Sequence, residues 1–158
     1  MHARRRRPAA VLGVVVAFAG LTACTRPTPG VTLYSGGATV RDDAFSYCFD
    51  AQDPQAAQGA QDACRIEAER APEVLRVRPG DTVLVDVDKD LADSGWFAAL
   101  RTEGHDPVRT AVQSEEHVVR VQPDFNQGTR QFLEVRKLDG PREDARVVGL
   151  WLFVVVPE

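Results

Sequence analysis

Apolar residues recur at every second position through much of the chain after residue 72, a period that β-strands satisfy and helices do not. Leu75 and Val77 alternate with Arg76 and Arg78. Val83, Val85 and Val87 then alternate with Asp86 and Asp88. Pro79-Gly80-Asp81 lies between the two runs and predicts a turn joining paired strands. Val119 and Val121 mark a further strand over His117–Gln122, and Leu133 and Val135 another over Gln131–Lys137. Trp96–Thr102 follows an Asp93-Ser94-Gly95 turn. Val147–Val156 is almost unbroken in its hydrophobicity, which predicts a central strand covered on both faces.

The segment between the start of the domain and residue 72 is less regular. Val31–Ser35 and Phe45–Phe49 read as strands around Gly36-Gly37 and Asp42-Asp43. Asp53-Pro54 offers a helix N-cap with proline at the first helical position. Ala56, Ala57, Ala60, Ala63 and Cys64 then fall near one face of a short helix, which Gly59 weakens. Short strands with turn signals and one short helix predict a mostly β fold: an antiparallel β-sandwich, immunoglobulin-like in the loose sense. The stricter immunoglobulin pattern is missing, because Cys48 and Cys64 lie close together and Trp96 falls outside them.

The N-terminus has a separate logic. Arg4–Arg7 are four consecutive positive charges, followed by the apolar run Ala9–Ala19 and small residues up to Cys24. A basic stretch, a short apolar stretch and a small-residue cleavage site make an export signal over residues 1–23. The apolar run falls short of the ~20 residues a spanning helix needs. Leu21-Thr22-Ala23-Cys24 resembles the bacterial lipobox, which implies that Cys24 carries a diacylglyceryl group and starts the mature chain. Two acyl chains suffice for stable anchoring at about 0.8 kcal/mol per buried methylene. Residues 24–30, rich in Pro and Thr, form a tether, and residues 31–158 the domain.

Removing residues 1–23 leaves 135 residues, enough for one domain with its own core. Without the four signal arginines, 15 basic residues face 23 acidic ones, a formal charge of −8. That balance argues against nucleic acid, which demands a basic patch, and against electrostatic docking on anionic lipid. The expected contact with the membrane is through the lipid on Cys24. In an oxidising compartment Cys48 and Cys64 are expected to pair. Closing a loop of about 16 residues stabilises by roughly 3 kcal/mol in the chain-entropy model.

Three segments carry a family resemblance: the lipobox with its Pro-rich tether, Ala92-Asp93-Ser94-Gly95-Trp96, and Gly149-Leu150-Trp151-Leu152-Phe153. Together with the paired cysteines they resemble an actinobacterial family of lipoproteins catalogued as a domain of unknown function. The resemblance covers most of the mature chain. It implies a place on the outer face of the plasma membrane and transfers no catalytic residue.

Residues with chemical potential are few. Asp86, Asp88, Asp90 and Asp93 space like a calcium loop, yet the EF-hand positions for Gly and for a bidentate Glu hold Leu91 and Phe97. The simpler reading is a solvated strand face running into an acidic turn. Copper chemistry needs two His, a Cys and usually a Met; the mature chain has no Met. Ser94 lacks the Gly-x-Ser-x-Gly setting of a hydrolase nucleophile. An envelope hydrolase would require it to converge with His105 or His117. Trp96 and Trp151 read as core. Arg76, Arg78, Arg101, Arg120 and Arg136 form either a partner surface or a solvated sheet face. The reading that results is a non-enzymatic binding or accessory module for another envelope protein or an envelope ligand, with no cofactor. A small-ligand or calcium carrier using Asp86–Asp93 is the second reading, and an envelope hydrolase the third.

Overall fold

The computed structural model describes residues 29–42, 62, 66 and 73–158. Cys24, Cys48, Cys64, the signal over 1–23, the strand expected at Phe45–Phe49 and the start of the helix expected after Asp53-Pro54 lie outside the described residues. Asp62 and Ile66 are helical.

The period-two segments become strands with their apolar members turned inward. The four-stranded sheet has the order β2 (Ala38–Asp42), β1 (Val31–Ser35), β4 (Val83–Val87), β7 (Val118–Val121). The five-stranded sheet has the order β3 (Glu73–Val77), β9 (Val147–Pro157), β8 (Gln131–Leu138), β5 (Trp96–Thr102), β6 (Val108–Arg109). Val31, Leu33, Val83, Val85 and Val87 of the first meet Leu75, Val77, Leu133, Val135, Trp151 and Phe153 of the second in one apolar core. Strand β9 lies between β3 and β8 and is buried on both faces from Gly149 to Val155, as its unbroken hydrophobicity requires.

Two expectations about pairing are corrected. Pro79-Gly80-Asp81 does turn the chain, with Asp81 N donating to Arg78 O at 2.9 Å. It does not close a hairpin: β3 pairs with β9, and β4 with β1 and β7. Both strands bury their alternating residues in the same core from opposite sides, so the turn carries the chain from one sheet to the other. The fold is also not wholly antiparallel, because β3 and β9 run parallel while every other strand pair runs antiparallel. A parallel pair needs a long crossover, and here the chain between the two strands builds two strands of the four-stranded sheet and three of the five-stranded one.

Two further segments differ from expectation. The hairpin partner of β1 is β2, reached through Gly36 and Gly37 with φ of 55° and 92°. Two successive positive φ values suit the tightest hairpin loop. β2 escapes a periodicity search because it is an exposed edge with little apolar surface to hide. The acidic segment forms a six-residue helix, Lys89–Ser94, in place of a turn, and buries Leu91 and Ala92.

Both tryptophans are fully buried, but only one satisfies its indole N–H. Trp96 Nε1 donates to Glu116 O at 2.8 Å. Trp151 Nε1 has no acceptor among the described residues. Leaving a buried carbonyl without its donor costs about 1–3 kcal/mol, whereas removing an unmatched N–H relieves a desolvation penalty. Trp151→Phe should therefore destabilise less than Trp96→Phe, by about 1 kcal/mol or more. Urea denaturation of the two variants compares them directly, and equal losses would show that ring volume alone decides.

Candidate functional site

The segment Asp93-Ser94-Gly95-Trp96 has an architectural explanation. Ser94 Oγ donates to Leu91 O at 2.9 Å and so ends the short helix. Gly95 follows at φ 93°. A Cβ there would lie 2.7 Å from Gly140 O and 2.8 Å from Pro141 Cα. Trp96 then enters the core. The imidazoles are held elsewhere: His105 Nδ1–H reaches Glu103 O and His117 Nδ1–H reaches Val87 O, both at 3.1 Å. Ser94 Oγ–H and the Nδ1–H of each imidazole go to backbone carbonyls, and among the described residues no hydrogen bond joins Ser94 to His105 or His117.

The acidic residues are dispersed too. Asp88 accepts from Gly30 N at 2.7 Å and from Arg41 at 3.0 Å. Asp93 pairs with Lys89 at 2.6 Å. Among the described residues, no three His, Cys, Asp or Glu side chains are grouped to hold a metal ion. Partial burial pushes the Asp88 carboxyl up, but the hydrogen bonds from Arg41 and Gly30 and the charge of Arg41 outweigh it, and its pKa sits below the ordinary value. A depressed carboxylate pKa adds stability above the unfolded value of about 3.9, which is lost as pH falls through the folded value. Asp88→Asn should flatten the acid limb of the Tm–pH curve below about pH 4. The pair is exposed, so its loss costs under about 1 kcal/mol near neutrality. An unchanged acid limb would remove Asp88 from the account.

A third constellation was not anticipated. Glu134, 2% exposed, lies on β8 with Ala99 and Leu152 as its cross-strand partners. Arg101 Nε approaches one carboxylate oxygen at 3.2 Å. Arg136 engages the other through Nε at 3.0 Å and also through Nη2. The guanidinium carbon of Arg101 lies 4.7 Å from the Phe132 ring centre and that of Arg136 lies 5.9 Å from Phe97. Arg130 and Arg109 add further contacts to the same two rings at 5.1 and 5.3 Å. The result is a ladder of arginine, phenylalanine and one buried carboxylate facing away from the shared core. Arg101 and Arg136 were legible as strand-face arginines. Glu134 was hidden, because alternation alone assigns it to solvent and only the β5–β8 register brings it between two guanidinium groups.

The remaining polar concentration lies at one end of the two sheets. Pro79 and Gly80 precede β4, and Gln122–Asn126 follow β7; together they line an open pocket of about 410 Å³. A smaller cavity of about 60 Å³ shares Gln122 and Asp124 with it and reaches Thr102 and Gln131. Thr82 Oγ1 donates to Gln122 Oε1 at 3.1 Å, and Gln122 Nε2 to Asp81 O at 3.0 Å. Asp124 accepts from Asn126 N and from the side chains of Asn126 and Gln127. Phe125 packs against the core beneath. Gly30 lies at the opposite end, since Val31 pairs with Val87, the last residue of β4.

No family model, curated protein or solved structure matches this chain. The functional reading therefore rests on the geometry and on the sequence motifs.

Proposed function

We propose that this protein is a lipid-anchored binding or accessory module of the cell envelope, with an immunoglobulin-like sandwich as its frame. The lipobox ending at Cys24 and the two segments that resemble the actinobacterial lipoprotein family support the outer face of the plasma membrane as its place. One observation carries the rest: the chain enters the domain at Gly30, clamped by Asp88, and the polar pocket lies at the far end of β4. A strand of five residues separates the two ends by about 13 Å. A domain tethered through residues 24–30 would thus hold the pocket end away from the bilayer. Ser94 closes the end of the short helix and is joined to neither His105 nor His117 by a hydrogen bond among the described residues, which supports the accessory reading over an envelope hydrolase.

The test is site-specific photocrosslinking in intact native membranes, with the photoreactive group at Asn126 in one variant and at Asp90 in another. The expected result is one envelope protein captured from Asn126 only and lost in Cys24→Ser. Capture from Asp90, or from neither position, overturns the reading. A further expectation concerns Cys48 and Cys64. Alkylating reagent should label neither until the protein is reduced, and labelling of both beforehand would exclude the disulfide.

A further inference from the structure

Three apolar side chains are buried on the wrong side of the sheet. Register places Leu150, Leu152 and Val154 of β9 level with Arg136, Glu134 and Phe132 of β8, on the face turned away from the shared core. They are 6%, 2% and 3% exposed. The apolar clusters formed by the described residues do not include them. Among the described elements β9 packs chiefly on its sheet neighbours β3 and β8. Such neighbours shield the flanks of these side chains and not their tips, because side chains stand roughly perpendicular to the sheet. The burial is that of a single chain, so neither a second copy nor another protein supplies the cover.

One segment of the chain is placed and sized for the task. Residues 43–72 join β2 to β3. Those two strands are neighbours along one side of the sandwich, where a loop of a few residues would suffice, and 30 residues are present. The segment rejoins the fold at β3, the edge strand directly beside β9. Its charge also fits. It carries six acids, Asp43, Asp50, Asp53, Asp62, Glu67 and Glu69, against Arg65 and Arg70. The register puts Arg76, Arg101, Arg109 and Arg136 on the outer face, with Glu134 as the one carboxylate among the described strand residues there. Phe45, Phe49 and eight alanines give the segment apolar surface to match. Asp62, Arg101 and Glu134 each have a partner beyond the contacts given above. We infer that the outer face of the five-stranded sheet is an intramolecular docking surface, and that residues 43–72 lie across Leu150, Leu152 and Val154 as its occupant. The arginine ladder then belongs to a contact within the chain. A partner of this module has the pocket end and the outer face of the four-stranded sheet left to it, where Tyr34 is 39% exposed. The inference goes beyond the proposed function and is independent of it.

The experiment is nuclear Overhauser spectroscopy of the purified full chain, read from the methyl groups of Leu150, Leu152 and Val154. A uniformly labelled sample reports every contact these methyls make. An equal mixture of labelled and unlabelled protein reports contacts between chains alone. The expected result is a set of cross-peaks from Leu152 and at least one of its two neighbours to protons of residues 43–72, present in the uniform sample and absent from the mixture. Cross-peaks that persist in the mixture would assign the cover to a second copy and overturn the inference. So would methyls that contact β3 and β8 and nothing within residues 43–72.

Discussion

Gly95→Ala should destabilise the protein by about 3 kcal/mol and lower Tm by about 10 °C. Two costs combine. A φ of 93° lies in the left-handed region, which a residue with a Cβ enters at roughly 1–2 kcal/mol. The new methyl would also meet the backbone of Gly140 and Pro141 at 2.7 and 2.8 Å. Backbone cannot rotate aside as a long side chain can, so the β8–β9 connection must move. That movement strains Leu138 N, which donates to Gly95 O at 2.9 Å. Gly37→Ala is the comparison: its φ of 92° is also positive, and no atom lies within 4 Å of the added methyl. Thermal melts should place Gly95→Ala well below Gly37→Ala. Equal Tm values would show that the approach of residues 140–141 costs nothing.

Glu134→Ala should cost about 3 kcal/mol, because it removes the buried partner of two guanidinium groups that pack on aromatic rings. Arg101 and Arg136 retain about 30% side-chain exposure. They can partly escape to water, which keeps the loss at the lower end for a broken buried pair. The informative comparison is the combined variant Arg101→Leu, Glu134→Leu, Arg136→Met. Replacing a whole buried ionic group with apolar side chains of similar size is often neutral or stabilising, whereas breaking it is not. Urea melts of the combined variant should therefore recover most of the stability lost in Glu134→Ala. Losses that add instead would mean that the cation–π contacts to Phe97 and Phe132, rather than the charge pairing, hold this face together.

These two sites differ in how far the chain announces them. Gly95 is visible as a turn signal in Asp-Ser-Gly-Trp, but the signal does not say that Gly140 and Pro141 will press against it. Glu134 is visible only as a polar residue between Leu133 and Val135. Its burial depends on β5 being its neighbour in a register that sets Arg101 opposite Phe132 and Phe97 opposite Arg136. Gln131, 2% exposed, is hidden in the same way. Nothing local marks a glutamine at the start of a strand as buried.

The sequence by itself determined the strands with strong alternation and the side each residue takes. Leu75, Val77, Val83, Val85, Val87, Leu133 and Val135 turn inward as their period demands, and β9 is central because its residues are apolar on both faces. Those features are local, since a period of two and a hydrophobic run are properties of a few consecutive residues. Only the tertiary structure decided which strands pair. The Pro79-Gly80 turn looks the same whether it closes a hairpin or passes between sheets, because inward residues on both flanking strands serve either arrangement. The parallel β3–β9 pair, the edge strand β2, the ladder around Glu134 and the cavity at Gln131 all join residues far apart in the chain. Their energies arise from packing and desolvation that exist once both sheets are assembled.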